Sequence, residues 1–159
     1  MNRIGIIGAM DEEVDILVEL MDIKETIEKA SLKFYKGTLE GKDIVLVRCG
    51  IGKVNSALCA QILISEFDVD AVVNTGVAGA LHSELDVLDM VISTDAIQYD
   101  VDTTAFGDLK GTIPRMESSV FVADEKLINA AYESSIKEMK SNKVLKGRVA
   151  TGDIFISSK

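Results

Sequence analysis

Three consecutive carboxylates, Asp11, Glu12 and Glu13, are the residues of this sequence best placed to do chemistry. They follow a short apolar run that ends at Ala9, so they begin a predicted helix at a strand-to-helix junction. A carboxylate at such a junction can act as a general base towards a water molecule. Acidic residues at a helix start are also favoured by the helix dipole alone, and on pattern this is the commoner explanation. The residue pattern leaves both interpretations open.

Glycines lie at the ends of three predicted strands, at Gly8, Gly50–Gly52 and Gly76–Gly79. In open α/β sheets, ligands bind beyond the carboxyl ends of the strands, where glycine lets the backbone come close to the ligand. Three such turns in one small chain therefore predict a ligand site. The middle turn continues to Asn55 rather than to a further glycine, and Lys53 lacks the earlier glycine of a phosphate-binding loop. We therefore expect no dinucleotide or triphosphate, and no cofactor.

Other polar side chains give weaker signals. Asp100, Asp102 and Asp108 offer the oxygen ligands that hard metal ions prefer, but their spacing does not match a calcium loop. His82 is the only histidine and has no cysteine or histidine near it in sequence, so it is interpreted as a loop residue. We predict no metal site.

Composition narrows the class of protein. Of the 159 residues, 47% are hydrophobic and 27% charged, which is typical of one globular domain over residues 1–159. The net charge of −9 disfavours binding to nucleic acid and to anionic membranes. No apolar stretch reaches the roughly 20 residues that span a bilayer. Because there is no secretory signal, Cys49 and Cys59 are interpreted as small buried hydrophobic residues and the protein as cytoplasmic.

Strands and helices alternate along the sequence. Apolar runs predict strands over Arg3–Ala9, Leu32–Leu39, Asp43–Cys49, Asp70–Thr75, Met90–Ser93 and Val144–Ala150. Helical spacing predicts three helices. The first begins after Met10 and has Val14, Leu17, Val18 and Met21 on its core face. The second begins at Val54, with an apolar face of Val54, Ala57, Leu58 and Ile62, and the third covers Leu127–Ile136. A long loop is predicted over Tyr99–Arg115. The turn between the second and third strands indicates an antiparallel hairpin, so we expect an α/β fold with a mixed sheet.

Five segments resemble the 5′-methylthioadenosine/S-adenosylhomocysteine nucleosidases. They are Gly5–Val14, Gly50–Val54, Asn74–Gly79, Thr104–Gly107 and Thr151–Ile156, in the family's order and with similar spacing. The resemblance implies a three-layer α/β/α sandwich around a central mixed sheet, usually as a homodimer. It also implies hydrolysis of the bond between adenine and a 5′-thio-substituted ribose.

The resemblance assigns roles to ten residues. Glu13 would be the carboxylate that activates water, and the small-molecule nucleoside would lie against Met10, Ile51, Val77, Ala78, Gly79, Phe155 and Ile156. Phe155 would lie against adenine, and the main chain of Ile156 would bond its polar edge. Phe106 and Pro114 match positions that reach into the 5′-thio pocket of the neighbouring subunit.

Two departures from the family pattern stand out. Val77 replaces the serine that is common in the family. The sequence also ends at Lys159 without the family's ribose-binding Glu-Met-Glu stretch and without the aspartate that protonates the departing adenine, so we expect C-terminal elements to be missing. Two alternatives stay open. One is a related nucleoside phosphorylase or another purine-releasing hydrolase, with Arg48 and Lys53 as the nearby cations for phosphate. The other is a non-catalytic nucleoside-binding module.

Overall fold

The computed structural model describes residues 2–157, which fall into two compact units that divide between Ala78 and Gly79. Both units combine strands with helices, so the α/β class is confirmed. The expectation of a single domain over residues 1–159 stays a prediction. Among residues 2–157, no helix has the length and apolar character needed to cross a membrane.

The first unit is built on a five-stranded mixed sheet in the order β2-β3-β4-β1-β5. Its elements are β1 (Arg3–Gly8), α1 (Asp11–Leu20), β2 (Asp22–Lys29), β3 (Leu32–Leu39), β4 (Lys42–Arg48), α2 (Lys53–Phe67) and β5 (Ala71–Asn74). Strand β1 runs parallel to both β4 and β5, whereas β3 runs antiparallel to β2 and β4. The predicted hairpin is confirmed as β3–β4. Because β1, β4 and β5 are parallel, their carboxyl ends meet at one edge of the sheet.

Strand β4 is buried on both of its faces. Ile44 and Leu46 belong to an apolar cluster with Val14 of α1, whereas Val45 and Val47 belong to a second cluster on the side of α2. All four strand residues are at most 4% exposed. Since successive strand side chains point to opposite faces, the two helices lie on opposite sides of the sheet. The first unit therefore has the three α/β/α layers that the family resemblance implies.

Helix α2 buries a face that only partly matches the apolar one predicted: Ile62 packs against the core, but Val54 and Leu58 do not. Cys59, Leu63 and Phe67 are its buried residues, whereas Val54 is 77% and Leu58 46% exposed. Apolar residues are spread around this helix, so spacing alone did not identify the side that meets the sheet. The core face predicted for α1 is confirmed, with Val14 and Met21 buried and Leu17 and Val18 packed against them.

The second unit carries a three-stranded mixed sheet in the order β7-β6-β8. Its elements are β6 (Met90–Gln98), β7 (Val120–Val122), α3 (Glu125–Glu138) and β8 (Val144–Thr151). The central strand β6 runs parallel to β8 and antiparallel to β7. Helix α3 packs against β6 and β8. The predicted loop after β6 contains one short 3₁₀ turn, Thr104–Phe106. Strands β2 and β7 were not predicted from the sequence.

Candidate functional site

Glu13 lies in the first turn of α1, where its side chain turns back over the helix start. Its Oε2 accepts hydrogen bonds from the backbone N–H groups of Ala9, at 2.7 Å, and Met10, at 3.2 Å. Met10 is the N-cap residue, so Glu13 forms the returning half of a capping box. Oε2 is therefore accounted for by local helix-start chemistry.

The other carboxylate oxygen of Glu13 makes a contact that no helix cap requires. Oε1 accepts a hydrogen bond at 2.9 Å from the backbone N–H of Val77, which is 64 residues away in sequence. Val77 follows β5, and β5 pairs in parallel with β1, which leads into α1. The sheet thus brings the start of α1 and the end of β5 together, and three backbone N–H groups fix both oxygens of one carboxylate.

Gly76 makes room for this arrangement. A Cβ atom at position 76 would lie 2.4 Å from Oε1 of Glu13 and 2.8 Å from its Cδ. Such distances are far inside van der Waals contact, so an L side chain here would displace the carboxylate. The backbone of Gly76 itself is not at positive φ. The glycine therefore serves close approach rather than an unusual backbone conformation.

Two of the other predicted binding residues of the first unit contact this carboxylate. Met10 and Val77 are in hydrogen-bond contact with it through their backbones. Val77 is 81% exposed, and its contact with Glu13 is made by its backbone N–H group. Ala78 is also exposed. Ile51 is 74% exposed at the end of β4, and its carbonyl accepts a hydrogen bond at 2.7 Å from Nδ2 of Asn55.

Asp11 differs from Glu13 in its surroundings. It lies in the first turn of α1 and forms an ion pair with Arg48, whose Nε is 2.7 Å from Oδ1 of Asp11. Both side chains are more than half exposed. They also border a cavity of about 450 Å³ between α1 and the start of β3, whose lining does not include Glu13. Asp11 is thus an ion-paired residue at the start of the helix.

The predicted residues of the second unit lie beyond its strands. Phe155 and Ile156 follow β8 and are 91% and 55% exposed. Phe106 is 89% exposed on the 3₁₀ turn, and Pro114 is exposed in the loop that follows. Gly79 is exposed at the start of this unit, and nothing lies within 4 Å of where its Cβ would be. These five positions are accessible side chains or backbone rather than parts of the core.

The acidic residues of the predicted loop have local structural partners. Thr104 donates from both its side chain and its backbone to Asp102, and these hydrogen bonds lower the pKa of the Asp102 carboxyl. Asp108 accepts a hydrogen bond at 2.9 Å from the hydroxyl of Thr103. Within residues 2–157, no three His, Cys, Asp or Glu side chains come close enough together to hold a metal ion.

Two contributions to the candidate site were not predicted from the sequence. The Ala9 N–H donates to Glu13, and Gly76 gives Glu13 the space it occupies. Two signals pointed towards them. Glu13 stands three residues after the residue that precedes the helix, which is the spacing of a capping box, and Gly76 directly follows an apolar strand.

Comparisons with known proteins show which family and which fold this chain resembles. The family model of the phosphorylase superfamily matches residues 3–159. A 5′-methylthioadenosine/S-adenosylhomocysteine nucleosidase of Anoxybacillus flavithermus is 47% identical over 97% of the chain, which covers 66% of that protein. The chain thus spans just under two thirds of the length of this curated relative.

Solved structures share the fold. The nucleosidase of that type from Colwellia psychrerythraea, solved in complex with adenine, superposes with a TM-score of 0.92 at 41% identity, over 99% of this chain and 64% of its own. A futalosine hydrolase of Helicobacter pylori superposes with a TM-score of 0.90 at 34% identity, over 99% of this chain and 67% of its own. Hydrolases with differently named substrates are therefore built on the same framework.

Proposed function

This chain belongs to the phosphorylase superfamily, and on that premise we propose that it contributes to the hydrolysis of 5′-methylthioadenosine and S-adenosylhomocysteine. The reaction breaks the N-glycosidic bond and yields adenine and the corresponding thioribose. The observation that carries the proposal is the carboxylate of Glu13, held by backbone N–H groups from the end of β1 and the end of β5. The 47% identity to a nucleosidase of this name supports the choice of substrates.

Glu13 is the residue proposed to activate water. Breaking an N-glycosidic bond builds positive charge on the sugar, in a transition state similar to an oxocarbenium ion. A fixed carboxylate lowers the energy of that charge and polarises the attacking water at the same time. Three N–H donors hold Glu13 in one position, so little reorganisation is needed when the charge develops.

The substrate is proposed to lie on the exposed residues near the strand ends. Met10, Val77, Ala78 and Gly79 would contact the nucleoside, and Ile51 would offer an apolar wall to the 5′-thio group. Phe155 would stack on adenine, and the backbone of Ile156 would bond the polar edge of the base. The exposure of Ile51 and Phe155 is consistent with surfaces that await a ligand.

We also propose a homodimer, because Phe106 is 89% exposed on a short turn and Pro114 is exposed in the same loop. Exposed apolar side chains on a loop are suited to reach a neighbouring subunit. In that assembly they would close the 5′-thio pocket of the partner. We place the enzyme in the cytoplasm, in keeping with two free buried cysteines.

Phosphorolysis is the second candidate reaction, and the ion pair at Arg48 weighs against it. A phosphorylase needs cationic groups for the attacking phosphate. Arg48 instead pairs with Asp11, and Glu13 places a negative charge at the attacking position. Adenine release should therefore proceed without phosphate. An absolute requirement for phosphate would overturn the assignment as a hydrolase.

Substitution of Glu13 tests the proposed role. In the protein that carries this chain, Glu13→Gln should lower the rate of adenine release at least ~10²-fold, the lower bound for loss of a positioned acid–base group. Binding of adenine, measured by calorimetry, should be retained. Glu12→Gln is the matched control, because Glu12 is an exposed neighbour in the same helix turn. Near-normal turnover of Glu13→Gln would exclude Glu13 as the base. Adenine binding without any release by the unsubstituted protein would instead favour a nucleoside-binding module.

A further inference from the structure

Two side chains at the end of β6 hold the segment that follows β8. Strands β6 and β8 are parallel neighbours, so Gln98 and Thr151 lie side by side at the same edge of the sheet. Beyond them, the hydroxyl of Tyr99 donates a hydrogen bond to the carbonyl of Ile154. The backbone N–H of Asp153 donates at 2.8 Å to Oδ2 of Asp100. Consecutive residues after β6 thus bond consecutive residues after β8.

Gly152 lets these contacts form. A Cβ at this position would lie 2.6 Å from Cε1 of Tyr99 and 2.9 Å from Cγ of Asp100. Any side chain at position 152 would therefore push the ring and the carboxylate away. The close approach is fixed further by the hydrogen bond of 3.0 Å from the N–H of Tyr99 to the carbonyl of Thr151.

Apolar packing does not fix this segment. Ile154, Phe155 and Ile156 are 63%, 91% and 55% exposed, so burial contributes little to their position. Polar contacts from Tyr99 and Asp100 are the described interactions that determine where the backbone runs. Phe155 and Ile156 follow within two residues of those contacts, so their placement depends on them.

We propose that Tyr99 and Asp100 are positioning residues for recognition of the purine base, acting through Phe155 and Ile156. The inference rests on the proposed function, which assigns the base to these two residues. The hydroxyl of Tyr99 fixes the backbone at Ile154, the residue before the stacking ring. The carboxylate of Asp100 fixes the backbone at Asp153, where the segment leaves β8. Recognition of a purine requires a flat side chain that stacks on the base and a backbone group that bonds its polar edge, at a fixed distance from each other. The contacts of Tyr99 and Asp100 maintain that distance.

The test measures the segment and the ligand separately in the protein that carries this chain. Tyr99→Phe and Asp100→Ala should each speed amide hydrogen exchange at residues 153–156 without ligand. Each should also raise the Kd for adenine about 5- to 10-fold, the effect of losing one hydrogen bond of ordinary strength. Asp100→Asn keeps an oxygen acceptor for the Asp153 N–H and should restore an affinity close to that of the unsubstituted protein. The rate of adenine release at saturating nucleoside should change less than KM, because Glu13 lies outside this segment.

Tyr132→Phe is the matched control. Tyr132 lies on α3 of the same unit, where its ring centroid is 4.7 Å from the ammonium group of Lys146 of β8, and it makes no described contact with residues 153–156. It should leave both exchange and affinity unchanged.

Faster exchange in Tyr99→Phe with unchanged affinity would overturn the positioning role while leaving the proposed function intact. If the unsubstituted protein neither binds adenine nor releases it from the nucleoside, the proposed function is wrong, and the inference about recognition of the base is wrong with it. Unchanged exchange in both Tyr99→Phe and Asp100→Ala would overturn the inference, whatever the affinity.

Discussion

Gly76→Ala tests whether the position of Glu13, and not only its presence, determines activity. The added methyl carbon would lie 2.4 Å from Oε1 of Glu13, about 1 Å inside an ordinary carbon–oxygen contact. The backbone of Gly76 is not at positive φ, so alanine strains the side-chain contact and not the chain itself. The carboxylate must therefore move away from the N–H of Val77.

The size of the effect follows from the contact that is lost. Oε1 accepts one hydrogen bond, from Val77, and a hydrogen bond to a charged group contributes about 1.5–3 kcal/mol. Glu13 is only partly buried, so we expect a loss at the lower end, about 1.5 kcal/mol in the free energy of unfolding. Displacing the proposed base should also lower kcat for adenine release at least ~10²-fold.

Urea unfolding and steady-state adenine release measure the two effects. Gly147→Ala is the control, because a Cβ there meets Cγ1 of Val91 at an ordinary 3.6 Å. A double-mutant cycle isolates the cause: the stability penalty of Gly76→Ala should largely disappear in a Glu13→Ala background. An undiminished penalty in that background would show that the methyl group acts elsewhere. A kcat near normal in Gly76→Ala would refute the link between carboxylate position and turnover.

Three further outcomes are expected. Burial, reinforced by the neighbouring Cys49, raises the pKa of the Cys59 thiol to about 12. Cys59 should therefore stay protonated at pH 8 and resist a thiol reagent until the protein unfolds. Rapid labelling of Cys59 in the native protein would contradict this. Hydrogen bonds from the backbone N–H groups of Arg3 and Asn2 lower the pKa of the Asp70 carboxyl from 3.8. Asp70 therefore stabilises the fold fully above pH 3.8 and loses that effect as the pH falls through its lowered pKa. Asp70→Asn should lower the free energy of unfolding at pH 7, and its difference from the unsubstituted protein should shrink in acid; a difference that stays constant would be inconsistent with this. Phe34 is fully buried, and its ring stacks on that of Phe67 with centroids 4.9 Å apart. Phe34→Ala should therefore lower the free energy of unfolding by about 3–5 kcal/mol in urea titrations. A loss below about 1 kcal/mol would show that neighbouring side chains fill the cavity.

The strands and helices with strong apolar periodicity could be predicted from the sequence. Strand β1, the hairpin β3–β4 and the core face of α1 are confirmed, because the strands are apolar runs and the core residues of α1 recur at helical spacing. Strand β2 was missed because Asp22–Lys29 is rich in charge and mostly exposed, and its pairing with β3 is what makes it a strand. Strand β7 has only three residues, too few to show any period. The buried face of α2 depends on tertiary packing that its spread of apolar residues does not reveal.

The candidate site was predictable only in its local part. The carboxylate run and the glycine turns can be read directly from the sequence, and the capping box of Glu13 follows from spacing. The bond between Glu13 and Val77 joins residues 64 apart, so it depends on the parallel pairing of β1 with β5. The contacts of Tyr99 and Asp100 likewise depend on the pairing of β6 with β8. In both units, strand order rather than local sequence brings the functional groups together.

The charged strand β2 also bears on how the protein behaves at high concentration. It forms an outer edge of the five-stranded sheet, where unpaired backbone groups invite a strand from another molecule and hence aggregation. Lys24, Glu25 and Glu28 are exposed along this edge and make such an approach unfavourable. The opposite edge is formed by β5, which leads into Gly76 and Val77. One edge of the sheet thus disfavours pairing with other molecules, while the other leads into the backbone N–H group that binds the Glu13 carboxylate.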